Sequence, residues 1–232
     1  MFADRIIDYL TRLEYRGKLP HGIKIMNPYR DNPEIIPVIS KFYQKYFNDD
    51  NPRHIILGIN PGRFGAGATG IPFTDSKRLS EKCGLSIPRL KTFETSSVFV
   101  YEMIDAFGGA EKFYSKFFIS AVCPLGFTSA GSINKSINYN YYDDNDLESS
   151  MMDFITENLF RQLDFGIERN SCFCLGTGKN YKFLIRLNNE LHLFGKIVPL
   201  EHPRFIMQYK SKQKQFYINK YLEELNSIIN LH

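Results

Sequence analysis

Three places in the chain set chemically useful side chains where a strand gives way to a loop. The longest is HIILGINPGRFGAGATGIPF, residues 54–73, in which a short apolar run reaches Asn60-Pro61-Gly62, three more glycines at 65, 67 and 70, and an aromatic at Phe73. The others are Cys123-Pro124-Leu125-Gly126 and Glu201-His202-Pro203-Arg204, each at the end of its own apolar run. A strand leading into a glycine-rich loop suggests a phosphate cradle. A Walker loop, however, requires Lys-Ser or Lys-Thr after its last glycine, and this loop has neither. A dinucleotide fingerprint requires G-x-G-x-x-G directly after the strand and then a helix, whereas these glycines fall late and Ile71-Pro72-Phe73 interrupts any helix.

The stretch does offer an amide side chain fixed at a strand end by Pro61, glycines that let backbone N–H groups turn inward, and an aromatic plate thirteen residues on. Together these suit a flat polar ring such as a nucleobase. Phe73 by itself would be read as core packing, and a single histidine on a strand is more often structural than catalytic. His202 gains weight from its position at the carboxyl end of the last strand and from the basic segment directly after it. The run HPRFIMQYKSKQKQFYINKY, residues 202–221, carries Arg204, Lys210, Lys212, Lys214 and Lys220 without one acid. In isolation, a run of this kind is a solvated helix face.

Positioning these loops requires strands that end together. Four nearly continuous apolar runs, at 54–60, 117–125, 171–178 and 195–203, are strand-length and end in Gly, Pro or Asn. Continuous rather than alternating apolarity is the mark of strands buried on both faces. Helical periodicity fills the intervals, as in FADRIIDYLTRL, where Phe2, Ile6, Tyr9, Leu10 and Leu13 share a face. The expected fold is therefore α/β, a three-layer α/β/α sandwich over a mainly parallel four-stranded sheet, with residues 1–232 forming one domain. The polar, tyrosine-rich stretch NKSINYNYYDDNDLESS, residues 134–150, reads as an exposed connection.

Composition excludes several classes. With 43% hydrophobic and 23% charged residues, disorder, collagen and coiled coil are disfavoured. A net charge of +4 permits an anionic partner without demanding one. Cys83, Cys123, Cys172 and Cys174 lack the spacing of a metal site or a disulfide framework, and read as buried, reduced thiols. The start of the chain lacks a signal-peptide pattern, and no stretch approaches the roughly 20 apolar residues of a membrane span. A soluble, cytoplasmic protein without membrane association is expected.

GINPGRFGAGATGIPF resembles the first motif of the single-strand-selective monofunctional uracil-DNA glycosylases, family 3 of the uracil-DNA glycosylase superfamily, where G-M-N-P-G-P-F-G leads to T-G-V-P-F. His202-Pro203 is similar to the start of that family's second motif, H-P-S-P-R. IKIMNPYR at 23–30, Cys123-Pro124-Leu125 and LGTGKNYKFL at 175–184 extend the likeness over most of the chain. The resemblance implies that Asn60 positions the attacking water, Phe73 stacks on a flipped uracil, His202 binds its O2, and the Gly62 backbone lines the pocket beside Pro61, Phe64 and Ser120. It further implies a metal-free and cofactor-free DNA-repair enzyme, a monomer acting on uracil-containing DNA at the nucleoid. Neither motif holds a lysine for a Schiff base, which favours hydrolysis over lyase chemistry. After His202, Phe205, Ile206 or Met207 could wedge into the base stack, while Arg204, Lys210, Lys212 and Lys214 meet phosphates; Arg204 and Lys210 are the leading DNA contacts.

Three departures mark a divergent branch. Ala121 stands where the family has an Asn two residues before Cys-Pro, Arg63 replaces a proline, and Arg204-Phe205-Ile206-Met207-Gln208 replaces Ser-Pro-Arg. Base selection would then rest on backbone groups, on Ser120 or on the Ser132–Asn134 turn, and the preferred base could be shifted or broadened. The rival expectation is a damage-binding module of the same fold that has lost turnover; a Mg-dependent nucleotide hydrolase ranks behind it.

Overall fold

The computed structural model describes residues 1–130 and 136–229. The chain opens with α1 (Phe2–Thr11), β1 (Ile23–Met26), α2 (Pro28–Asp31), α3 (Ile35–Tyr46) and β2 (Arg53–Gly58). It continues through α4 (Ala66–Thr69), α5 (Ser76–Cys83), α6 (Thr95–Phe107), α7 (Ala110–Tyr114), β3 (Phe117–Ala121), β4 (Gly126–Ala130) and β5 (Ser136–Tyr139). It closes with α8 (Asn145–Leu163), β6 (Ile167–Leu175), α9 (Lys179–Leu191), β7 (Lys196–Leu200), α10 (Pro203–Tyr209), a 3₁₀ turn at Ser211–Gln213, and α11 (Lys214–Ile229).

The four apolar runs form one fully parallel sheet in the order β3-β2-β6-β7, flanked by helices, as the α/β expectation requires. Every residue of β2 is buried, which explains why it carries no polar alternation. Pro199, which cannot donate to a ladder, is accommodated because β7 is an edge strand. From β2 the chain crosses to β3 on one side and later to β6 on the other, so the topology reverses at β2. Crevices open beyond the carboxyl ends of strands at such a reversal. The helix spacing holds as well: Phe2, Ile6, Tyr9, Leu10 and Leu13 are all buried, and α1 packs on α3.

At the opposite end of β2, Arg53 is fully buried. Its Nη2 bonds Asp49 Oδ2 at 2.9 Å, its Nε bonds the Tyr114 carbonyl at 3.2 Å, and its guanidinium lies over the rings of Phe2 and Phe47. A buried cation is tolerated where it is both paired and hydrogen-bonded, as here.

One reading from sequence is overturned. The polar stretch after residue 135 is no exposed connection: β5 pairs antiparallel with β4, which pairs with β1, making a second, three-stranded sheet. Tyr141, just beyond it, is completely buried. The short antiparallel strands carry polar residues because only part of their surface is covered. Composition then resembles a loop although the backbone is extended. The Ser132–Asn134 turn lies outside the described residues.

Among the described residues no helix is long and apolar enough to cross a membrane. The four cysteines are unpaired and buried.

Candidate active site

Asn60, Pro61, Gly62, Phe73, Ser120, His202, Arg204 and Phe205 line one cavity of about 280 Å³ at the carboxyl ends of β2, β3 and β7. That volume is at the lower end of small-ligand sites, roughly 300–1,000 Å³. The parallel sheet makes this convergence geometric, since every strand delivers its loop to the same edge. The bonds from Val122 N–H to the Gly58 carbonyl (3.0 Å) and from Cys123 N–H to the Ile59 carbonyl (3.1 Å) keep the ends of β2 and β3 together past the ladder.

Asn60 is held by the second sheet. Its Nδ2 donates to the Tyr139 carbonyl at 3.1 Å, and its Oδ1 accepts from the Tyr141 N–H at 3.2 Å. This pair of bonds admits only one amide orientation, because a carbonyl must meet the NH₂ and an N–H must meet the oxygen. The clamp is anchored in turn: the Tyr141 hydroxyl donates to Asn180 Oδ1 at 2.8 Å, and Asn180 Nδ2 reaches the Leu175 carbonyl at 3.1 Å and the Gly58 carbonyl at 3.4 Å. Asn180 itself is buried at the start of α9. Close approach of the loop to β4 depends on glycine, since a Cβ on Gly126 would overlap the Pro61 carbonyl.

Phe73 has φ of +50°, a left-handed conformation that is rare for an aromatic residue and costs on the order of 1–3 kcal/mol. The strain is held in place by Thr69, whose buried Oγ1 donates to the Thr74 carbonyl at 2.6 Å, and by Thr74 Oγ1, 3.0 Å from the Tyr101 hydroxyl. The effect is to lay the Phe73 ring across Gly58, where a Cβ would stand 3.0 Å from it. Its centroid lies 5.7 Å from that of His202.

His202 caps α10: its Nδ1 accepts the Arg204 N–H at 3.1 Å. An accepting Nδ1 carries no proton, so the neutral ring must bear its hydrogen on Nε2, a donor without a partner among the described residues. Burial, and secondarily the Arg204 charge, push the imidazole down to about 4, so the ring is neutral at ordinary pH. The strand end before it is tied by Tyr221, whose hydroxyl bonds the Glu201 carbonyl, while Lys220 pairs with the Glu201 carboxylate at 2.9 Å.

Other candidates fall outside the cavity. Phe64 turns outward, 47% exposed, with its ring under the Arg63 guanidinium, 4.4 Å away. Met207 packs against the core and Ile206 is fully buried, so neither is available as a wedge; Phe205 is the exposed apolar residue of that run that lines the cavity. Lys210 lies beyond the lining at the end of α10, and Lys214, expected at a phosphate, is paired with Glu102.

The sequence reading missed Glu94, Asn138 and Asn140, which also line the cavity. The alternation in NYNY, with Asn at 138 and 140 and Tyr at 139 and 141, was a usable strand signal. Glu94 had none: its place is set by the Asp75 carboxylate, which caps α5 through the Arg78 N–H (2.8 Å) and also accepts the Glu94 N–H (2.7 Å). Burial pushes the Glu94 carboxyl up to about 7, although a hydrogen bond from Ser97 (3.1 Å) works against it. Cys123, by contrast, is pushed up to about 12 by burial and is no nucleophile at neutral pH. No group of three or more His, Cys, Asp or Glu among the described residues is arranged to hold a metal ion.

Comparison with known proteins agrees with this geometry. Residues 44–226 match the Uracil DNA glycosylase superfamily. The chain is similar to the crystal structure of wild-type SMUG2 from Pedobacter heparinus, at 53% identity over 99% of this chain and 98% of that one, with a TM-score of 0.97. No curated protein matches. With a match over most of its length and a fold shared nearly end to end, the chain belongs to the uracil-DNA glycosylase superfamily.

Proposed function

We propose that the protein is a monofunctional DNA glycosylase that hydrolyses the N-glycosidic bond of uracil flipped out of DNA. The observation that carries the reading is the meeting, in one cavity, of an aromatic ring, an amide clamped in a single orientation and a neutral histidine whose free nitrogen is a donor. Breaking an N-glycosidic bond leaves an electron-poor sugar and an anionic base, so the greatest need is for donors aimed at the oxygen where negative charge collects. His202 Nε2–H meets that need at uracil O2 without having to lose a proton. Asn60 has no pKa suited to a general base. Its Oδ1 keeps a second lone pair that orients water toward the sugar carbon, a positioning role. Phe73 supplies the face on which the extruded base stacks. Arg204 and the exposed Phe205 sit at the mouth, where phosphates and the vacated base step would lie.

Purified protein should release uracil from uracil-containing oligonucleotides, leaving an abasic site and an intact strand. Asn60→Ala should slow the reaction by about 10²- to 10³-fold while leaving affinity for abasic DNA in place. No base release from uracil, hypoxanthine, xanthine or oxidised pyrimidines, in single or double strands, would sink the enzyme reading. A second reading, a damage-binding module of the same fold without turnover, is favoured by Ala121, which puts a methyl group on the cavity wall; binding of abasic DNA by an inactive wild type would support it.

A further inference from the structure

We infer that Asn140 reads the polar edge of the flipped base; the inference rests on the uracil-glycosylase reading above. Once His202 Nε2–H meets O2, the remaining edge of uracil shows an N3–H donor beside the O4 acceptor. A side-chain amide matches this pair, with an oxygen for N3–H and an NH₂ for O4.

Four amides line the cavity: Asn60, Asn138, Asn140 and Gln208. Asn60 is committed at both ends to the backbone of Tyr139 and Tyr141. Asn138 accepts the Arg63 N–H through Oδ1 at 3.1 Å, and its Nδ2 lies against Gly62, 3.6 Å from where a Cβ would stand. Gln208 is exposed, on the rim formed by α10. Among the described residues the Asn140 side chain makes no hydrogen bond, although its backbone is thoroughly fixed. Its N–H donates to Asp143 Oδ2 at 2.9 Å, and the peptide groups on either side of it are the two that hold the Asn60 amide. A free amide on an immobilised backbone is the pre-organised arrangement that recognition requires. The arrangement also links the two roles, since the bonds that orient the water-positioning amide of Asn60 set the place of Asn140. The Ala121 methyl and the single hydroxyl of Ser120 leave the end of β3 without a side-chain amide for this task.

The test uses binding, so it does not depend on turnover. A duplex carrying 2′-deoxy-2′-fluorouridine retains its base, because fluorine at C2′ disfavours the cationic sugar. Its affinity is compared with that of a duplex carrying a tetrahydrofuran abasic analogue and with undamaged DNA. Wild type should prefer the fluorouridine duplex to undamaged DNA. Asn140→Ala should weaken fluorouridine binding by on the order of 10- to 100-fold and leave tetrahydrofuran binding unchanged. Asn140→Asp removes the donor for O4; when protonated, its carboxyl sets an acceptor against an exocyclic amine and an O–H against an unprotonated N3, so lowering the pH should shift relative binding from fluorouridine toward the corresponding fluorocytidine. Retained fluorouridine preference in Asn140→Ala overturns the inference alone. Equal loss of fluorouridine and tetrahydrofuran binding also overturns it, by assigning Asn140 to the scaffold. A wild type without preference for fluorouridine overturns the uracil reading and the inference together.

Discussion

The proton of His202 is placed on Nε2 by a local cause, the Arg204 N–H that occupies Nδ1, and its neutrality by a wider one, burial beside a fixed cation. The folded pKa lies near 4, below the unfolded value of about 6.5, so the folded state binds fewer protons across that window and stability falls as pH drops through it. An NMR titration should show the His202 ring signals still those of a neutral imidazole at pH 6. His202→Asn keeps an acceptor for the Arg204 N–H but withdraws the ring donor, and should cost about 10²- to 10³-fold in rate with the fold intact, as checked by single-turnover assay and circular dichroism. Glu94 has the opposite sign. Its carboxyl is raised to about 7 by burial, so the folded state binds more protons between about 4.3 and 7, and stability falls as pH rises through that window. Glu94→Gln removes the dependence. The variant should match wild type in thermal midpoint near pH 4 and exceed it at pH 8; an equal offset at both pH values would contradict the assignment.

Between the two sheets, the site is assembled by contacts that no single element contains. Asn60 leaves the end of β2, yet its orientation is set by the backbone just after β5, and that backbone is anchored through Tyr141 to Asn180 on α9. Asn180→Ala would strand the Tyr141 hydroxyl and weaken satisfaction of the Leu175 and Gly58 carbonyls, all in buried surroundings. Urea unfolding should report a loss of about 2–4 kcal/mol. Its glycosylase rate should fall further than that of a surface variant of equal stability, because the Asn60 clamp loosens. The strained Phe73 obeys the same logic, since the turn that imposes φ of +50° is maintained by Thr69, Thr74 and Tyr101 on neighbouring segments.

At the scale of the whole molecule, a net charge of +4 is a poor guide to the DNA-facing surface. Of the basic residues between 202 and 221, Lys214 and Lys220 are spent on Glu102 and Glu201, while Arg204, Lys210 and Lys212 have no carboxylate within ion-pair distance among the described residues. If these three neutralise phosphates, the logarithm of duplex affinity should fall with that of salt at a slope of about −2.7; all five would give about −4.5. A titration between 50 and 200 mM salt separates the two. Local signals and distant contacts divide the rest of the molecule in the same way. The parallel sheet, its buried strands, the major helices and the placement of Asn60, Phe73 and His202 beyond the strand ends were legible in the sequence, because apolar continuity, helical period and loop punctuation are local signals and strand ends have a fixed place in an α/β fold. The second sheet was missed because its short, partly covered strands are polar enough to pass for loop, although Asn and Tyr alternate over 138–141. Phe64, Ile206 and Met207 were misplaced because spacing along a loop or a short helix does not reveal which side chains turn inward. Glu94 is held at the cavity by its bond to Asp75, 19 positions away, and Asn140 by the bonds that its neighbours Tyr139 and Tyr141 make to Asn60, 79 and 81 positions away. The sequence by itself therefore determined which side chains stand at the strand ends that open on the cavity. Only the tertiary structure decided which other groups line that cavity, because contacts between distant segments depend on how the two sheets pack.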